Sequence, residues 1–571
     1  MSGDGQLKLQ APKSRQSPRQ SRRIRLQGIR KQALETGRNR LLVTGVVFTL
    51  AFLVIAGRLV SIMTFEQSGE PHAVRSAPSR MNVAVRADIV DRNGVSLATS
   101  LPIASLYANP SEVSNKEEAA DKLSRILPEL KRSEVLAKLK SRGGFTWLRR
   151  NLSPKKQYEV NRLGIPGLAF KRGERRVYPQ GEAAAHVLGF TDVDGQGISG
   201  LEKQFDEMLS SGETLRLSID LRIQDMLRQE LTETMDEFNA IGAAGVVLDV
   251  DTGEALAMVS LPDFDPNVPE KSRGGKRFNR VTKGVYEMGS TFKLFTVAMA
   301  LDSGVATLND GYDASKPLHI ARFTISDFHS KNRWLSVPEI LVYSSNVGAA
   351  LMALDVGATV QQDYLGRLGL LSPALIELPE VGSPLTPSVW RKINTMTISY
   401  GHGIAVSPLQ MAGATAALVN GGIRRPLSLL KHQGLEAPEG ERVLSVATSE
   451  QMRGLMRLVV TDGTGKNADA EGYRVGGKTG TADKQAGGKY DDKALISSFI
   501  AAFPMNDPRY VVLAMLDEPK GTKETFNYAT GGWVAAPMVG RVITRMGSLL
   551  GLMPQLAAVS AEAKDRRLET Y

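Results

Sequence analysis

The sequence predicts an α/β domain with a central sheet and an all-helical subdomain, preceded by a smaller mixed α+β domain and a single membrane helix. Three observations predict this organisation. Two apolar strands near residue 250 and two more near the C-terminus enclose a chain with mostly helical periodicity. The first half of the chain instead shows short mixed patterns. One uncharged segment near the N-terminus is long enough to span a bilayer.

The N-terminal segment carries almost all of the excess charge. The 571 residues have a formal net charge of +11, and residues 1–40 hold eleven Lys or Arg against two acidic residues. The rest of the chain has 60 basic and 58 acidic groups. A near-neutral body is not typical of a nucleic-acid-binding protein. We expect residues 1–40 to form a disordered basic cytoplasmic arm.

The next segment is the predicted membrane helix. Leu41 to Gly57 are seventeen residues without a charge, and the apolar character extends to Phe65. Roughly 20 residues cross the hydrocarbon core. The long basic region before the segment and the lack of a small-residue cleavage site argue against a signal peptide. A buried core helix is the other alternative. We predict an uncleaved single span over 41–65, with everything after it exported.

The remaining chain divides by composition and periodicity. An Asn93-Gly94 turn between alternating runs predicts a β-hairpin, and residues 116–141 have helical spacing. Near residue 215 the hydrophobic pattern changes. It predicts a strand, LRLSID, then a long amphipathic helix, and then two apolar strands joined by a turn. A further helix closes the larger domain. The predicted boundaries are a linker over 66–80, the smaller domain over 81–214, the larger domain over 215–555 and a solvated tail over 556–571.

Residue composition limits the chemistry. Cysteine is absent, which excludes disulfides, thiol nucleophiles and thiolate zinc sites. The six histidines are scattered without metal-ligand spacing. We therefore predict no metal and no cofactor.

The first motif with catalytic potential is Gly289-Ser290-Thr291-Phe292-Lys293, which precedes a long apolar run. Ser290 and Lys293 are three residues apart, so both fall on one face of a first helical turn. A serine becomes a nucleophile when a base takes its proton, and a lysine can be that base if burial and nearby positive charge lower its pKa. The pattern fits acyl transfer. A simple helix cap is the alternative for Ser290, and Ser153-Pro154-Lys155-Lys156 has the same spacing in a predicted surface loop.

The second motif, Ser344-Ser345-Asn346, lies at the start of another apolar helix. There a hydroxyl could relay a proton and an amide could bind a peptide carbonyl, although a capping serine is the simpler interpretation. A similar triplet, Ser330-Lys331-Asn332, is discounted because no helix follows it directly.

The third motif runs from Gly476 to Thr481 on a predicted strand edge. Its glycines allow a substrate backbone to approach closely, and Lys478, Thr479 and Thr481 offer a cation and hydroxyls for a carboxylate. The competing idea, a phosphate-binding loop, lacks its G-x-x-x-x-G-K-[ST] pattern.

In this order, GSTFK, SSN and KTGTAD resemble the signature of penicillin-binding proteins and serine β-lactamases. The runs RADIVDRNGVSLA (86–98) and RRVYPQGEAAAHVLGFTDVDGQGISGLE (175–202) resemble pedestal motifs of class B penicillin-binding proteins, and 399–422 is similar to another stretch of their transpeptidase domain. YEMGSTFK and SSNVG look more like the septal, FtsI-type members than the elongation-specific ones. The connection over 209–215 is shorter than the family pattern.

The resemblance implies a β-lactamase-like α/β transpeptidase domain, with a central antiparallel sheet and a helical subdomain, on a pedestal of the dimerisation type. It implies a penicillin-sensitive D,D-transpeptidase that crosslinks peptidoglycan stem peptides at the division septum. By this resemblance Ser290 attacks the penultimate D-Ala carbonyl of a donor and Lys293 is its base. Ser344 and Asn346 relay protons and position the donor.

The same resemblance assigns the third motif to substrate binding. Lys478 contributes positive potential in the catalytic centre, while Thr479, Gly480 and Thr481 bind the substrate and its terminal carboxylate. The backbone N–H groups of Ser290 and Thr481 form the oxyanion hole.

The partners implied are donor and acceptor stem peptides, β-lactams as covalent inhibitors, and an FtsW-type glycan polymerase with other membrane proteins of the divisome. The implied location is the bacterial inner membrane, with a cytoplasmic N-terminus and a periplasmic catalytic domain. An elongation-specific role is the main alternative. A hydrolytic carboxypeptidase or β-lactamase, a penicillin-sensing receptor and a catalytically silent division scaffold are the others.

Overall fold

The structure is a computed structural model that describes residues 45–46, 48–56 and 85–555, except 273–274, 321–322, 435 and 487–488. The described residues before 57 are helical and exposed, and they belong to a different compact unit from the chain that begins at residue 83. Within the described part of the chain, no helix has both the length and the apolar character needed to cross a membrane. The predicted arm, linker and C-terminal tail, and both ends of the predicted span, lie outside the described residues.

The smaller domain is built on a five-stranded sheet. A long strand, β2, pairs antiparallel with β1, β3 and β4, and a short β5 pairs parallel with β1. The hairpin predicted at Asn93-Gly94 is confirmed, with Gly94 at a φ of +89° in its turn. The strands are β1 (Ile89–Val90), β2 (Ser96–Ala108), β3 (Thr146–Leu152), β4 (Leu168–Val177) and β5 (Leu215–Arg216).

Six helices complete this domain: α1 (Lys116–Ile126), α2 (Arg132–Leu139), α3 (Pro154–Asn161), α4 (Ala185–Leu188), α5 (Gly200–Gln204) and α6 (Asp206–Ser210). The helical segment predicted over 116–141 is broken in two, because Pro128 disfavours helical backbone at the residue before it. The prediction of a surface loop over 153–156 is wrong, because a helix begins there. Ser153 caps α3 by accepting a hydrogen bond from the Lys156 N–H, and Pro154 occupies the first helical position.

A buried ion cluster holds the base of the smaller domain together. The Glu202 carboxylate is fully buried and accepts hydrogen bonds from Arg86 Nε at 2.8 Å and Arg176 Nε at 2.7 Å. Arg86 also donates to Asp206 at 2.7 Å. The cluster joins the entry to β1, the end of β4 and the two helices that precede β5.

The larger domain contains the remaining elements. The predicted strand LRLSID is shorter than expected, because only Leu215–Arg216 pair with β1 of the smaller sheet, while Leu217 forms an isolated bridge with Leu430. The helices are α7 (Leu221–Glu237), α8 (Lys293–Asp302), α9 (Val337–Val342), α10 (Asn346–Val356), α11 (Ala358–Arg367), α12 (Lys392–Ile398), α13 (Pro408–Val419), α14 (Val446–Thr461) and α15 (Ala535–Leu549). Short 3₁₀ turns cover Pro269–Lys271, Gly289–Phe292 and Lys466–Ala468.

Its strands are β6 (Gly242–Asp249), β7 (Ala255–Leu261), β8 (Gly311–Asp313), β9 (Leu318–Ile320), β10 (Phe323–Ile325), β11 (Trp334–Ser336), β12 (Ile423–Arg424), β13 (Glu441–Arg442), β14 (Gly476–Ala486), β15 (Lys489–Phe503) and β16 (Tyr510–Asp517). The central sheet has the order β14-β15-β16-β6-β7, and every neighbouring pair is antiparallel. This confirms the predicted central antiparallel sheet. The late strand β16 pairs with the early strand β6, so the helical region is an insertion between the two halves of the sheet.

The sheet separates two apolar cores because alternate side chains of its strands point to opposite faces. Val512, Ala514 and Leu516 of β16 pack on one face with α7 and α15. Val511 and Leu513 pack on the other face with α8, α13 and α14. Strand β14 remains at the edge of the sheet, next to the helical subdomain.

Candidate active site

Ser290 and Lys293 lie where a 3₁₀ turn leads into α8. The Lys293 Nζ donates to Ser290 Oγ at 2.7 Å. Lys293 is fully buried, whereas Ser290 is half-buried and reaches the cleft. The apolar run predicted as a buried helix is α8, and residues 293–301 are all buried. The packing of α8 therefore fixes the base, while the nucleophile stays accessible.

The second motif begins α10. Ser344 has a φ of +61°, and its Oγ accepts hydrogen bonds from Lys478 Nζ at 3.0 Å and Lys293 Nζ at 3.3 Å. Asn346 Oδ1 accepts from Lys293 Nζ at 2.7 Å. The capping alternative is correct for Ser345, whose Oγ accepts from the Gly348 N–H. Ser344, one residue earlier, bridges the two lysines instead.

The third motif occupies the edge strand β14, as predicted. Lys478 is fully buried, and its Nζ also lies 3.2 Å from Thr479 Oγ1. Thr479 is only 7% exposed, and its hydroxyl is paired with the Thr464 hydroxyl at 2.7 Å. Thr481 is half-buried, and its Oγ1 accepts from the Gly531 N–H. Thr481 is therefore the more accessible hydroxyl of the two threonines predicted to bind substrate.

Glycines allow the first and third motifs to touch through their backbones. A Cβ on Gly289, whose φ is +55°, would lie 2.4 Å from the Thr481 carbonyl oxygen. A Cβ on Gly480 would lie 2.3 Å from Ser498 Oγ and 2.6 Å from the Met288 carbonyl oxygen. Gly480, predicted to bind substrate, thus also has a packing role. This contact places the backbone of Thr481 beside that of Ser290.

The electrostatics of the two lysines favour a neutral base. Burial is the main cause that lowers the pKa of Lys293 well below its usual 10.5, and the charge of Lys478 lowers it further. Burial also lowers the pKa of Lys478 to about 7. Asp327 acts in the opposite direction on the Lys293 pKa. A neutral Lys293 amine can take the Ser290 proton, which a charged ammonium cannot.

Asp327 is a site residue that sequence analysis missed. Its carboxylate accepts hydrogen bonds from Ser345 Oγ at 2.7 Å and from the backbone N–H of Asn346 at 2.6 Å and Val347 at 2.9 Å. The Asn346 Nδ2 donates to the Ser326 carbonyl oxygen, which turns Oδ1 towards Lys293. No sequence signal marked Asp327, because it acts through a contact with a helix 18 residues further along the chain.

Tyr400 and His402 complete the surroundings of the base. The Tyr400 ring centroid is 5.8 Å from Lys293 Nζ, and the His402 ring packs 5.3 Å from that of Tyr400. Burial lowers the pKa of His402 to about 4, and the charge of Lys293 adds to this effect. His402 is therefore neutral at neutral pH. Within the described residues, no three His, Asp or Glu side chains are grouped so that they could hold a metal ion.

Known families match both domains. The family described as the penicillin binding protein transpeptidase domain matches residues 243–544, and the family described as the penicillin-binding protein dimerisation domain matches residues 81–217. A Caulobacter vibrioides protein named probable peptidoglycan D,D-transpeptidase FtsI is 43% identical over 485 residues, which are 82% of each chain. This chain is a class B penicillin-binding protein. The Escherichia coli peptidoglycan D,D-transpeptidase FtsI is 31% identical to it, over 89% of this chain and 90% of its own.

Solved structures agree with this penicillin-binding protein fold. The transpeptidase domain of Burkholderia pseudomallei penicillin-binding protein 3 is 33% identical with a TM-score of 0.54, and covers 60% of this chain and 98% of its own. A peptidoglycan synthetase from Bifidobacterium adolescentis covers 84% of this chain and 97% of its own, with a TM-score of 0.66. Its identity of 21% supports the shared fold alone.

The glycine contact between the first and third motifs gives a test of site geometry. We predict that Gly289→Ala slows acylation by a fluorescent penicillin about 100-fold, because the new methyl group must push Thr481 away by roughly 1 Å. Gly304→Ala is the matched control, since Gly304 also has a positive φ but a Cβ there meets nothing within 4 Å. The second-order acylation rate is the measurement, with thermal unfolding to confirm folding. Equal losses in both variants would contradict the close contact.

The charges around Lys293 predict a pH dependence. The acylation rate should fall as the pH drops below the lowered pKa of Lys293, because the base becomes protonated. Lys478→Met removes a positive charge and should move this acid limb to higher pH. Asp327→Asn removes a negative charge and should move it to lower pH.

The position of the limb, rather than the absolute rate, is the quantity compared in these variants. Asp313→Asn is the control, since Asp313 is an exposed carboxylate of the same subdomain. Shifts of the limb in the same direction for Lys478→Met and Asp327→Asn would show that these charges do not set the pKa of Lys293.

Proposed function

We propose that this protein is a D,D-transpeptidase that crosslinks peptidoglycan stem peptides at the division septum through an acyl-enzyme on Ser290. The observation that carries the proposal is the buried Lys293 amine, with its lowered pKa, hydrogen-bonded to Ser290. The name FtsI of the Caulobacter vibrioides and Escherichia coli relatives supports the septal role. The intact catalytic groups argue against a silent scaffold.

Acylation begins when Ser290 Oγ attacks the carbonyl carbon of the penultimate D-Ala of the donor. Lys293 Nζ accepts the Oγ proton as the new C–O bond forms. The carbonyl oxygen becomes an oxyanion, stabilised by the backbone N–H groups of Ser290 and Thr481. Ser344, hydrogen-bonded to both lysines, then passes a proton to the leaving nitrogen. The C–N bond breaks, D-Ala leaves, and the donor remains as an ester of Ser290.

The second half-reaction uses the same groups in reverse. The amine of an acceptor stem peptide attacks the ester carbonyl and loses a proton to Lys293 through the same relay. The ester C–O bond breaks, Ser290 Oγ regains a proton, and a new amide joins the two stem peptides. Asn346 is held by Lys293 and Ser326, so its amide can position the donor backbone throughout.

The donor carboxylate binds at the β14 end of the cleft. Lys478 supplies positive potential there, and the hydroxyls of Thr481 and Thr479 supply hydrogen bonds. The Thr479 hydroxyl is already shared with Thr464 and Lys478, so Thr481 offers the more accessible hydroxyl.

We further propose that residues 41–65 anchor the protein as a single span in the inner membrane, with the basic arm in the cytoplasm and the two folded domains in the periplasm. The seventeen uncharged residues and the basic arm before them support this orientation. The proposed partner is an FtsW-type glycan polymerase, because neither folded domain is assigned to glycan polymerisation.

Labelling with a fluorescent penicillin tests the proposed chemistry. The wild-type protein should give a covalent band, and Ser290→Ala should abolish it because the nucleophilic oxygen is lost. Ser153→Ala is the matched control, since Ser153 has the same spacing to a lysine but caps a helix of the smaller domain. We expect this variant to label like the wild type and to crosslink stem peptides at the wild-type rate. A band that persists in Ser290→Ala would place the nucleophile elsewhere.

The membrane proposal is tested with a double variant, Val46→Arg with Phe52→Arg, which places two charges in the uncharged segment. We expect the wild type to remain with membranes after a carbonate wash and to retain the polymerase on affinity purification. The charged variant should lose both properties, because an arginine at the bilayer centre, such as that at position 52, costs about 3 kcal/mol. Retention of the polymerase at wild-type yield by this variant would refute a contact through the helix.

A further inference from the structure

A short segment borders the cleft on the side of the second motif. Ser326 and Asp327 anchor it beneath Asn346 by the hydrogen bonds described above. The segment then continues through Ser330-Lys331-Asn332, the triplet that sequence analysis discounted, and reaches β11. Asn332 has a φ of +51°, so the chain turns sharply there. Lys331 of this triplet contacts the ring of Tyr343, the residue before Ser344.

Two cations of this segment meet one aromatic ring. The Lys331 Nζ lies 4.7 Å from the centroid of the Tyr343 ring, and the Arg333 guanidinium carbon lies 5.9 Å from it. Tyr343 directly precedes Ser344, which bridges the two catalytic lysines. All three side chains of this Lys331–Arg333–Tyr343 cluster are exposed. The cluster therefore presents positive charge to solvent on a segment that is anchored to Asn346 of the second motif.

Lys331 and Arg333 differ in their charged neighbours. Arg333 is paired with Glu339 through two hydrogen bonds, at 2.5 and 3.1 Å. Asp327, the other carboxylate of the segment, accepts its hydrogen bonds from Ser345 and the start of α10. Among the described residues, Lys331 has no ion pair, and its ammonium lies over the face of the Tyr343 ring. A cation–π contact holds an ammonium in place without cancelling its charge.

The course of the donor peptide gives this charge a role. Under the proposed mechanism the C-terminal carboxylate lies at β14, the reacting carbonyl lies at Ser290 and Asn346 positions the donor backbone, so the residues before D-Ala-D-Ala extend from Ser290 past Asn346. We propose that the Lys331–Arg333–Tyr343 cluster binds a free carboxylate of the donor stem peptide, on a residue that precedes D-Ala-D-Ala. This inference rests on the proposed function, because it assumes a peptide donor. The cluster then favours donors with an anionic upstream residue.

The test uses two synthetic pentapeptides that end in D-Ala-D-Ala and differ in one upstream group, a free carboxylate or its carboxamide. The full-length protein in detergent exchanges the terminal D-Ala for a fluorescent D-amino acid. We expect the wild type to favour the carboxylate donor about 5- to 10-fold in kcat/KM, through KM. Lys331→Met should reduce this ratio to about 1, and Lys331→Glu should reverse it.

Lys155→Met is the matched control, because Lys155 is an exposed lysine of the smaller domain whose charge lies outside the catalytic domain. Its donor preference should equal that of the wild type. Benzylpenicillin, which has no upstream residue, should acylate all four proteins at similar rates. This second measurement separates loss of donor binding from damage to the catalytic groups.

Two outcomes would overturn the carboxylate site. The first is an unchanged donor preference in Lys331→Met, and the second is an equal change in Lys155→Met, which would indicate a general charge effect. If the wild type is acylated by benzylpenicillin but exchanges neither peptide, the proposed transpeptidase activity fails instead. In that case the carboxylate site is tested by measuring how well each peptide inhibits acylation of the wild type by penicillin. Equal inhibition constants for the two peptides would refute the carboxylate site.

Discussion

The structure depends on the burial of a lysine amine beside a serine hydroxyl. An unpaired charge in a protein interior costs several kcal/mol, so the surroundings of Lys293 favour its neutral form. Three separate elements supply those surroundings. Helix α8 buries the Lys293 stem, α10 brings the Asn346 amide, and the sheet edge brings Lys478, whose charge further disfavours a second cation. Ser344 joins the two lysines, and Asp327 moderates the effect by its negative charge. Nucleophile activation is thus a property of the packed core rather than of a single motif.

This dependence explains why backbone contacts, and not only side chains, define the site. The 3₁₀ turn that carries Ser290 touches β14 at Gly289 and Thr481, and it touches the loop after α12 at Gly401, where a Cβ would lie 2.1 Å from the Gly289 carbonyl oxygen. A Cβ on Gly531 would likewise lie 2.5 Å from the Gly480 carbonyl oxygen. Contacts without side chains leave little freedom for the backbone N–H groups of Ser290 and Thr481. An oxyanion hole built from such groups is preorganised, which is the condition under which it accelerates acyl transfer.

Sequence patterns predicted what depends on residue type and local spacing. All three motifs were recognisable, because each needs its residues within one turn or one strand. They are the Ser290–Lys293 pair, the two serines before Asn346, and the strand that carries Lys478. The helix break at Pro128 and the cap at Ser153 follow equally local rules, which the patterns contained but periodicity alone did not resolve. The contacts of Asp327 and of Lys331, whose triplet was discounted, could not be predicted in this way. Their positions beside α10 and Tyr343 depend on how the segment between β10 and β11 folds back, and that path is set by tertiary packing.

One contact between the smaller domain and the catalytic domain runs through Glu380 to the segment that leads to the nucleophile. The Gly200 N–H at the start of α5 donates to the Glu380 carboxylate at 3.3 Å, and the Glu380 carbonyl oxygen accepts from Thr282 Oγ1 at 2.6 Å. Thr282 lies eight residues before Ser290, on the chain that enters the active site. Hydrogen bonds to a charged acceptor contribute about 1.5–3 kcal/mol each. The other end of this connection is held by Glu202, two residues after Gly200, in the buried cluster with Arg86 and Arg176. Because removing one partner of a buried ion pair costs about 3–5 kcal/mol, the base of the smaller domain is a firm support for the segment that presents the nucleophile.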